Sequence, residues 1–411
     1  MAPPKFPNSK SVVVEVAKPT LWPWDDDETW LLNPPIRYVI NSDRAEELGD
    51  RVSAVSDLAG MPLYQPKIDL NGLPGSRILV ERHRGRGIGD VLFMSGPLSY
   101  LWHRSARRCQ IYYYGSANRG GILHGHEALY ANSVLAGPIA YDSLGLYDSH
   151  WFVDGATEYN SNADQLNVYD SLFAQLGLDP ADVPSKFKRP SLTILRSDLA
   201  LRGNFFNLFR QERGLDLNAH KYAVIAPTCA STLRSAPYPV WLEVAQKLLD
   251  EKIAVIFVGH VNGFMPEAGC HFNDFYAQVC ELERSSALVV NLLGQPPLRL
   301  AAAIIEKASA VFCLDSGLLY VAQALNTPAI SAWGTHSPRS RLGYDQRYMD
   351  LAVFSKDRCP SAPCFSYAGF PAELCPDGKD QRLCAPLTDP DLASSLLRKF
   401  ERVLANKQPQ S

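Results

Sequence analysis

Asp90 closes a glycine-rich turn, Gly85-Arg86-Gly87-Ile88-Gly89-Asp90, between a short apolar run and a helical pattern. Glycines at such a junction let the backbone come close to a ligand, and a helix N-terminus favours anions. A carboxylate there is either a helix cap or, where it faces a cleft and reaches a hydroxyl, a general base. Arg82, His83, Arg84 and Arg86 cluster just before it. Guanidiniums beside a cleft suit phosphate or carboxylate groups, and the same cluster also makes a solvated basic turn. A second turn, Asp315-Ser316-Gly317-Leu318, joins another apolar run to another helix. Its successive N–H groups would cradle a diphosphate, although Asp and Ser are also common caps at strand-to-helix turns. In a third piece, Thr228-Cys229-Ala230-Ser231-Thr232-Leu233-Arg234, small and hydroxyl residues stand with one Arg. That mixture suits a phosphate neighbour or a plain polar connection. His336 follows Gly334-Thr335 at a strand end, where it either meets a ligand or stands by incidentally. Four of the nine cysteines, Cys359, Cys364, Cys375 and Cys384, gather with four, ten and eight residues between them. Four thiolates in a Pro/Gly-rich loop can close a tetrahedral site for zinc or iron, structural because no position stays open; the alternative is free or buried thiols.

The elements that must position these residues follow from the apolar pattern. Arg77–Glu81, Gln110–Gly115 and His150–Val153 read as strands, with helices over Val91–Trp102 and Asn160–Leu176. A second set has strands at Tyr222–Ala226, Ile253–Gly259, Val289–Leu292, Ala310–Leu314 and Pro328–Gly334. Its helices lie over Pro239–Glu251, Leu298–Ala308 and Leu318–Leu325. Strands alternating with helices at this spacing mean parallel sheets, and two such sets mean two doubly wound α/β domains. In open parallel sheets ligands sit beyond the carboxyl ends of the strands, where all three turns fall. Residues 1–75, rich in Pro, Trp and Asp, read as a small β-rich appendage with strands at Ser11–Val16 and Arg37–Ile40 and a loop over Leu21–Asp27. The expected boundaries are 1–75, 76–205, 206–388 and a last helix within 389–411 that packs back across the domains.

Bulk properties bound the rest. The chain of 411 residues, 46% hydrophobic and 20% charged, fits a soluble globular protein of two or three domains. A net charge of −3 gives no general pull toward nucleic acid or anionic membrane. No apolar run reaches the roughly 18–20 residues of a membrane span, and nothing behind Met1-Ala2-Pro3-Pro4-Lys5 looks like a signal peptide. The expected location is the cytoplasm, with reduced thiols.

Taken together, the turns resemble those of the family-nine glycosyltransferases, best known as ADP-heptose:lipopolysaccharide heptosyltransferases. The resemblance rests on Gly89-Asp90-Val91-Leu92 with Pro97 and Leu101, on Arg234 with the Trp241 helix, and on Leu293-Gly294 with Leu298. It is strongest over Asp315-Ser316-Gly317-Leu318-Leu319-Tyr320-Val321-Ala322-Gln323-Ala324-Leu325, with Thr327-Pro328 and Trp333-Gly334-Thr335. It covers residues 77 to 400 and leaves the first 75 outside.

The resemblance implies a GT-B fold, two Rossmann-like domains facing a cleft. It makes Asp90 the general base for an acceptor hydroxyl. It makes Ser316, Gly317 and Leu318 the turn whose amides hold a diphosphate, beside Asp315 and Thr228. Arg234 stands where the family usually has a phosphate-touching Lys, and Tyr320 where it usually has His. Arg84, Arg86, Gly89 and His336 become contacts for acceptor or phosphate. The implied reaction is an inverting, single-displacement transfer without a catalytic divalent metal. Its donor is a nucleotide-diphosphate sugar, by default ADP-heptose, and its acceptor a lipopolysaccharide-type glycan. A protein side chain or a modified DNA base are the other acceptors. A binding or assembly protein that lost catalysis is the reading that the Lys-to-Arg and His-to-Tyr departures favour. Many relatives carry a cysteine cluster at this point, and some protein-modifying ones hold iron there. Self-association is one expectation for residues 1–75.

Overall fold

The structure, a computed structural model, describes residues 11–25, 28–41, 45–46, 48–62, 68–81, 87–114, 121–135, 139–153, 166–229, 232–259, 272–364, 375 and 384–407. Arg84 and Arg86, and the start of the helix expected over Asn160–Leu176, lie outside the described residues. The chain divides into two compact units, one of Lys5–Asn160 with Tyr169–Lys188, the other centred on Arg189–Ser411.

In the first unit the β-branched run Ser11–Val16 (β1) buries Val12, Val13, Val14 and Val16 and leaves Glu15 exposed. It is the inner strand of an antiparallel sheet with β4 (Arg37–Asn41), β5 (Val52–Asp57) and β9 (Ile139–Ala140), in the order β5-β1-β4-β9. This sheet shares its core with Leu79 and Tyr114 of the neighbouring parallel sheet, and the Tyr114 hydroxyl accepts the Ile139 N–H at 3.1 Å. The segment expected as a loop is instead strand β2 (Thr20–Asp25), paired with β3 (Glu28–Leu32) so that Leu21 faces Leu31 and Trp22 faces Trp30. Aromatic and β-branched residues favour that pairing, and Pro23 is tolerated because each strand of a two-stranded ribbon is an edge.

The parallel sheet of this unit contains β6 (Arg77–Glu81), β7 (Gln110–Tyr114), β8 (Leu129–Leu135) and β10 (Ser149–Phe152), ordered β10-β6-β7-β8. The helix Ile88–Arg104 follows β6 and buries Val91, Leu92, Phe93, Met94, Leu98 and Leu101.

The second unit holds six parallel strands: β11 (Tyr222–Ala226), β12 (Ala254–Gly259), β13 (Val289–Leu293), β14 (Ala310–Leu314), β15 (Ala329–Ala332) and β16 (Ala352–Val353). Every residue of β11, β13, β14 and β15 is buried, as expected for a sheet covered on both faces. The order is β13-β12-β11-β14-β15-β16. Strand order therefore reverses between β11 and β14, and the carboxyl ends of those two strands form the crevice where such sheets bind ligands. Their following loops carry Thr228 to Arg234 and Asp315 to Leu318.

The helix Tyr238–Asp250 turns Tyr238, Trp241, Val244, Ala245 and Leu248 to the core, a helical spacing. The last helix, Leu392–Lys407, buries Leu392, Ala393, Leu396, Phe400 and Val403 in the same core, with Phe400 5.4 Å from the Phe312 ring of β14. No helix among the described residues is long and apolar enough to cross a membrane. Phe400→Ala removes a large side chain that is 2% exposed. It should destabilise the second unit by about 3–5 kcal/mol, read as a lower urea midpoint in tryptophan fluorescence; an unchanged midpoint would show that this helix does not complete the core.

Candidate nucleotide site

Thr228 is placed by glycine. It follows β11 and lies against the end of β12, where a β-carbon on Gly259 would stand 2.5 Å from its Oγ1. Further along the same loop Arg234 ends a short 3-10 turn, Thr232–Arg234, with a fifth of its side chain exposed. Its Nη1 donates to the Asp315 carbonyl at 3.3 Å and lies 3.8 Å from Asp315 Oδ2. The Cys229 thiol donates to the same carbonyl at 3.5 Å.

Asp315, 4% exposed, leaves β14 and turns the chain into the helix Gly317–Ala324. Its Oδ1 accepts from the Tyr320 hydroxyl at 2.5 Å and its Oδ2 pairs with His336 Nδ1. The other ring nitrogen, Nε2, is 3.1 Å from Arg341 Nη2. A guanidinium can only donate, so Nε2 is the acceptor and the ring proton sits on Nδ1, aimed at the carboxylate. Burial pushes His336 down to about 4, Asp315 opposing and Arg341 adding to the shift. Burial alone would raise Asp315, but its bond to His336 and the two guanidiniums hold it well below the usual carboxylate range. Burial and the Asp315 charge keep Tyr320 far above its ordinary value, so it stays a donor. The site thus joins a carboxylate, a neutral imidazole and two guanidiniums.

In front of this network stands the turn itself. Ser316 is the N-cap of the helix Gly317–Ala324, yet its side chain makes no cap bond. Its buried hydroxyl has no partner among the described residues. The Gly317 and Leu318 amides precede the first bond of that helix, Leu319 N–H to the Ser316 carbonyl. A hydroxyl and amides held this way at a helix start are an anion receptor.

In the first unit Asp90 lies in the opening turn of the helix Ile88–Arg104, with Gly89 buried beside it. Its carboxylate folds back so that a β-carbon on Gly87 would lie 2.9 Å from Oδ2. Glu81, 1% exposed, ends the strand before this loop, and it opposes the downward shift that burial gives His150. Neither was legible in an apolar run.

His336 turns inward, and both ring nitrogens engage protein groups, Nδ1 at Asp315 and Nε2 at Arg341. The four cysteines do share a neighbourhood. Burial, followed by the thiols of Cys364, Cys359 and Cys375, pushes Cys384 up to about 12. Among the described residues no group of three or more His, Cys, Asp or Glu is placed to hold a metal ion. What the segment does is pack. Cys375 lies on Leu233, Cys384 against Gly334, and the Cys364 N–H bonds the Thr335 carbonyl at 2.8 Å. Arg341 was missed because nothing in its spacing marks it; only its burial, at 9% exposed, shows that it faces the site.

Two parallel α/β units, one with an uncapped helix start at its switch point, define the class: an α/β protein of the GT-B type. Residues 149–367 match the glycosyltransferase family 9 (heptosyltransferase) profile, over half of the chain, and the protein belongs to that family. The match includes Arg234, Asp315 to Tyr320 and His336, and Asp90 precedes it. Lipopolysaccharide heptosyltransferase 2 of Escherichia coli K12 is 33% identical over 102 residues, 25% of this chain and 27% of that protein. The chain thus spans about a quarter of the curated relative it matches. Among solved structures, E. coli ADP-heptose LPS heptosyltransferase II shares 18% identity at a TM-score of 0.55, covering 80% of this chain and 99% of its own. The iron-containing dodecameric glycosyltransferase TibC of enterotoxigenic E. coli H10407 shares 15% at 0.53, covering 98% and 92%. TibC has also been solved in complex with ADP-D-beta-D-heptose.

The pH dependence of stability follows from His336. An unfolded histidine takes its proton near 6.5, whereas the folded ring takes it only near 4. Between these values the unfolded chain binds more protons, so stability falls as the pH drops through that window. His126, also held to about 4 by burial, adds the same demand in the first unit. The thermal midpoint should fall from pH 7 to pH 4.5; a flat profile would mean that neither ring is buried as a neutral group.

Proposed function

We propose that the protein is an inverting glycosyltransferase that transfers a sugar, by default heptose from ADP-heptose, to a hydroxyl of a lipopolysaccharide-type glycan. One observation carries this reading. The uncapped Ser316-Gly317-Leu318 turn, with Arg234 beside it, lies at the carboxyl end of a strand flanking the switch point. Family membership supports the reading, as does the nucleotide sugar bound by TibC.

The chemistry divides between two groups of residues. Asp90 takes the proton of the acceptor hydroxyl as its oxygen forms a bond to the anomeric carbon. The bond from that carbon to the diphosphate breaks, and the pair of electrons leaves with the nucleoside diphosphate. Charge on the departing oxygen is met by the Gly317 and Leu318 amides and by Arg234, donors already in place before the reaction. A guanidinium offers a planar fork where the family usually has the point charge of Lys, which suits two phosphate oxygens at once. Attack opposite the leaving group inverts the anomeric centre.

The test begins with donors. A thermal-shift screen against ADP-, GDP-, UDP- and dTDP-linked sugars should raise the midpoint with one nucleotide class, since binding stabilises the folded state by mass action. Asp90→Asn should then lower kcat by about 10²–10⁴-fold and leave donor affinity unchanged. A well-folded protein that shifts with none of the four would favour the non-catalytic reading instead. Loss of donor affinity in the Asn variant would remove Asp90 from the role of base.

A further inference from the structure

Arg341 is a charged residue that faces the wrong way for a surface helix. The five-residue helix Pro338–Leu342 is capped by Ser337, whose Oγ accepts the Arg339 N–H at 3.3 Å. Arg339 points to solvent, but Arg341 turns inward with Pro338, Ser340 and Leu342 and is 9% exposed. Burying a guanidinium is unfavourable unless what it meets compensates. What it meets is His336 Nε2, at 3.1 Å.

That contact decides the tautomer. An imidazole hydrogen-bonded from Nε2 must carry its proton on Nδ1, and Nδ1 faces Asp315 Oδ2. With the other tautomer a lone pair would face the carboxylate. Asp315, so engaged, offers Oδ1 to Tyr320 and its carbonyl to Arg234.

We propose that Arg341, acting through His336, is a positioning residue for the nucleotide site: it holds Asp315, and with it Arg234 and the Ser316 turn, in the arrangement that receives a diphosphate. The inference rests on the nucleotide-sugar reading of that turn. It also gives Arg341 an electrostatic share. Among the described residues, Asp315 faces two guanidiniums, Arg234 and Arg341.

The groups facing His336 come from several elements. Asp315 reaches it from the end of β14, Arg234 from the loop after β11, Arg341 from the helix beyond, and Tyr320 through Asp315. The Cys364 N–H and the Cys384 thiol stand at the neighbouring Thr335 and Gly334. Arg341 is among the groups that keep the ring neutral. Arg341→Gln removes that effect along with a positive charge, and on acidification His336 can then take the proton and supply the charge instead.

The experiment is calorimetric binding of ADP-heptose at pH 8 and pH 5.5, with a thermal midpoint recorded for each protein. A sugar diphosphate diester keeps both of its charges over this range, so any pH dependence belongs to the protein. Wild type should vary by less than about twofold. R341Q should bind about tenfold more weakly at pH 8 and regain most of that loss at pH 5.5, with R341K between the two. A folded R341Q that binds like wild type at both pH values, or stays equally weak at both, overturns the proposal.

Should R341Q not fold, the wild-type ring decides. ¹⁵N NMR should find His336 as the neutral Nδ1–H tautomer at pH 5.5, and an Nε2–H ring or an imidazolium there overturns the linkage. A wild-type protein that binds none of the four nucleotide sugars overturns the reading of the turn, and the ring tautomer separates that failure from this one.

Discussion

The second unit is organised around one buried carboxylate. Taking Asp315 out of water is strongly unfavourable unless each lone pair finds a donor, and three elements supply donors to its carboxylate and its carbonyl. Tyr320 comes from the helix Gly317–Ala324, His336 from the loop after β15, and Arg234 and Cys229 from the loop after β11. Each contact fixes the position of the element it comes from. Loops from β11, β14 and β15, neighbours in the sheet order, are thereby tied together at their carboxyl ends. A pair of hydrophobic residues could fill the space at similar stability. It would leave the Tyr320 hydroxyl and the His336 Nδ1 without their acceptor.

The identity of residue 320 shows how such a network is built. The resemblance expects an imidazole there, and this chain has a phenol. Tyr320 is 4% exposed and donates to Asp315, so it serves the carboxylate. The imidazole in the network comes instead from His336, on a different loop. With its ring neutral and its proton on Nδ1, it donates one bond and adds no charge. Positive charge is left to the guanidiniums, which remain charged at any pH the protein would meet.

Legibility in the sequence followed burial. Ser11–Val16, Arg77–Glu81, Tyr222–Ala226 and Ala310–Leu314 were readable to the residue, because a strand covered on both faces is an unbroken apolar run between polar turns. The helix Arg196–Arg213 was not read at all. It buries only Asp198, Phe206 and Phe209, and its charged remainder carries no clear period. The helix Phe272–Ser285, with only Phe275 and Val279 buried, was missed for the same reason. The strand Thr20–Asp25 was taken for a loop in a segment rich in Pro, Trp and Asp, although Pro23 is compatible with a strand of a two-stranded ribbon. Within the site, Asp315, Ser316, Gly317 and Arg234 were found because their type and place in a strand-to-helix turn imply chemistry. Arg341 was not, and the inward turn of His336 onto Asp315 was not foreseen. Both depend on how the loop after β15 folds back on β14, a long-range fact that spacing does not encode.

The cysteine segment belongs to the same argument from the opposite side. It bears on the loops that carry Arg234 and His336, through Cys375 on Leu233 and through Cys384 and Cys364 on Gly334 and Thr335. Gly334 permits this approach, since a β-carbon there would lie 2.8 Å from the Cys384 sulfur and 2.9 Å from Leu387. With its pKa pushed up to about 12, the Cys384 thiol is neutral at neutral pH and packs as a small apolar group. The loops around Asp315 are therefore held by a buried charge network on one side and by packing of the cysteine segment on the other. Anything that gave those thiols charge, or drew them together, would act first on Leu233 and Gly334. These residues are one and two positions from Arg234 and His336, so the effect would pass directly to Asp315.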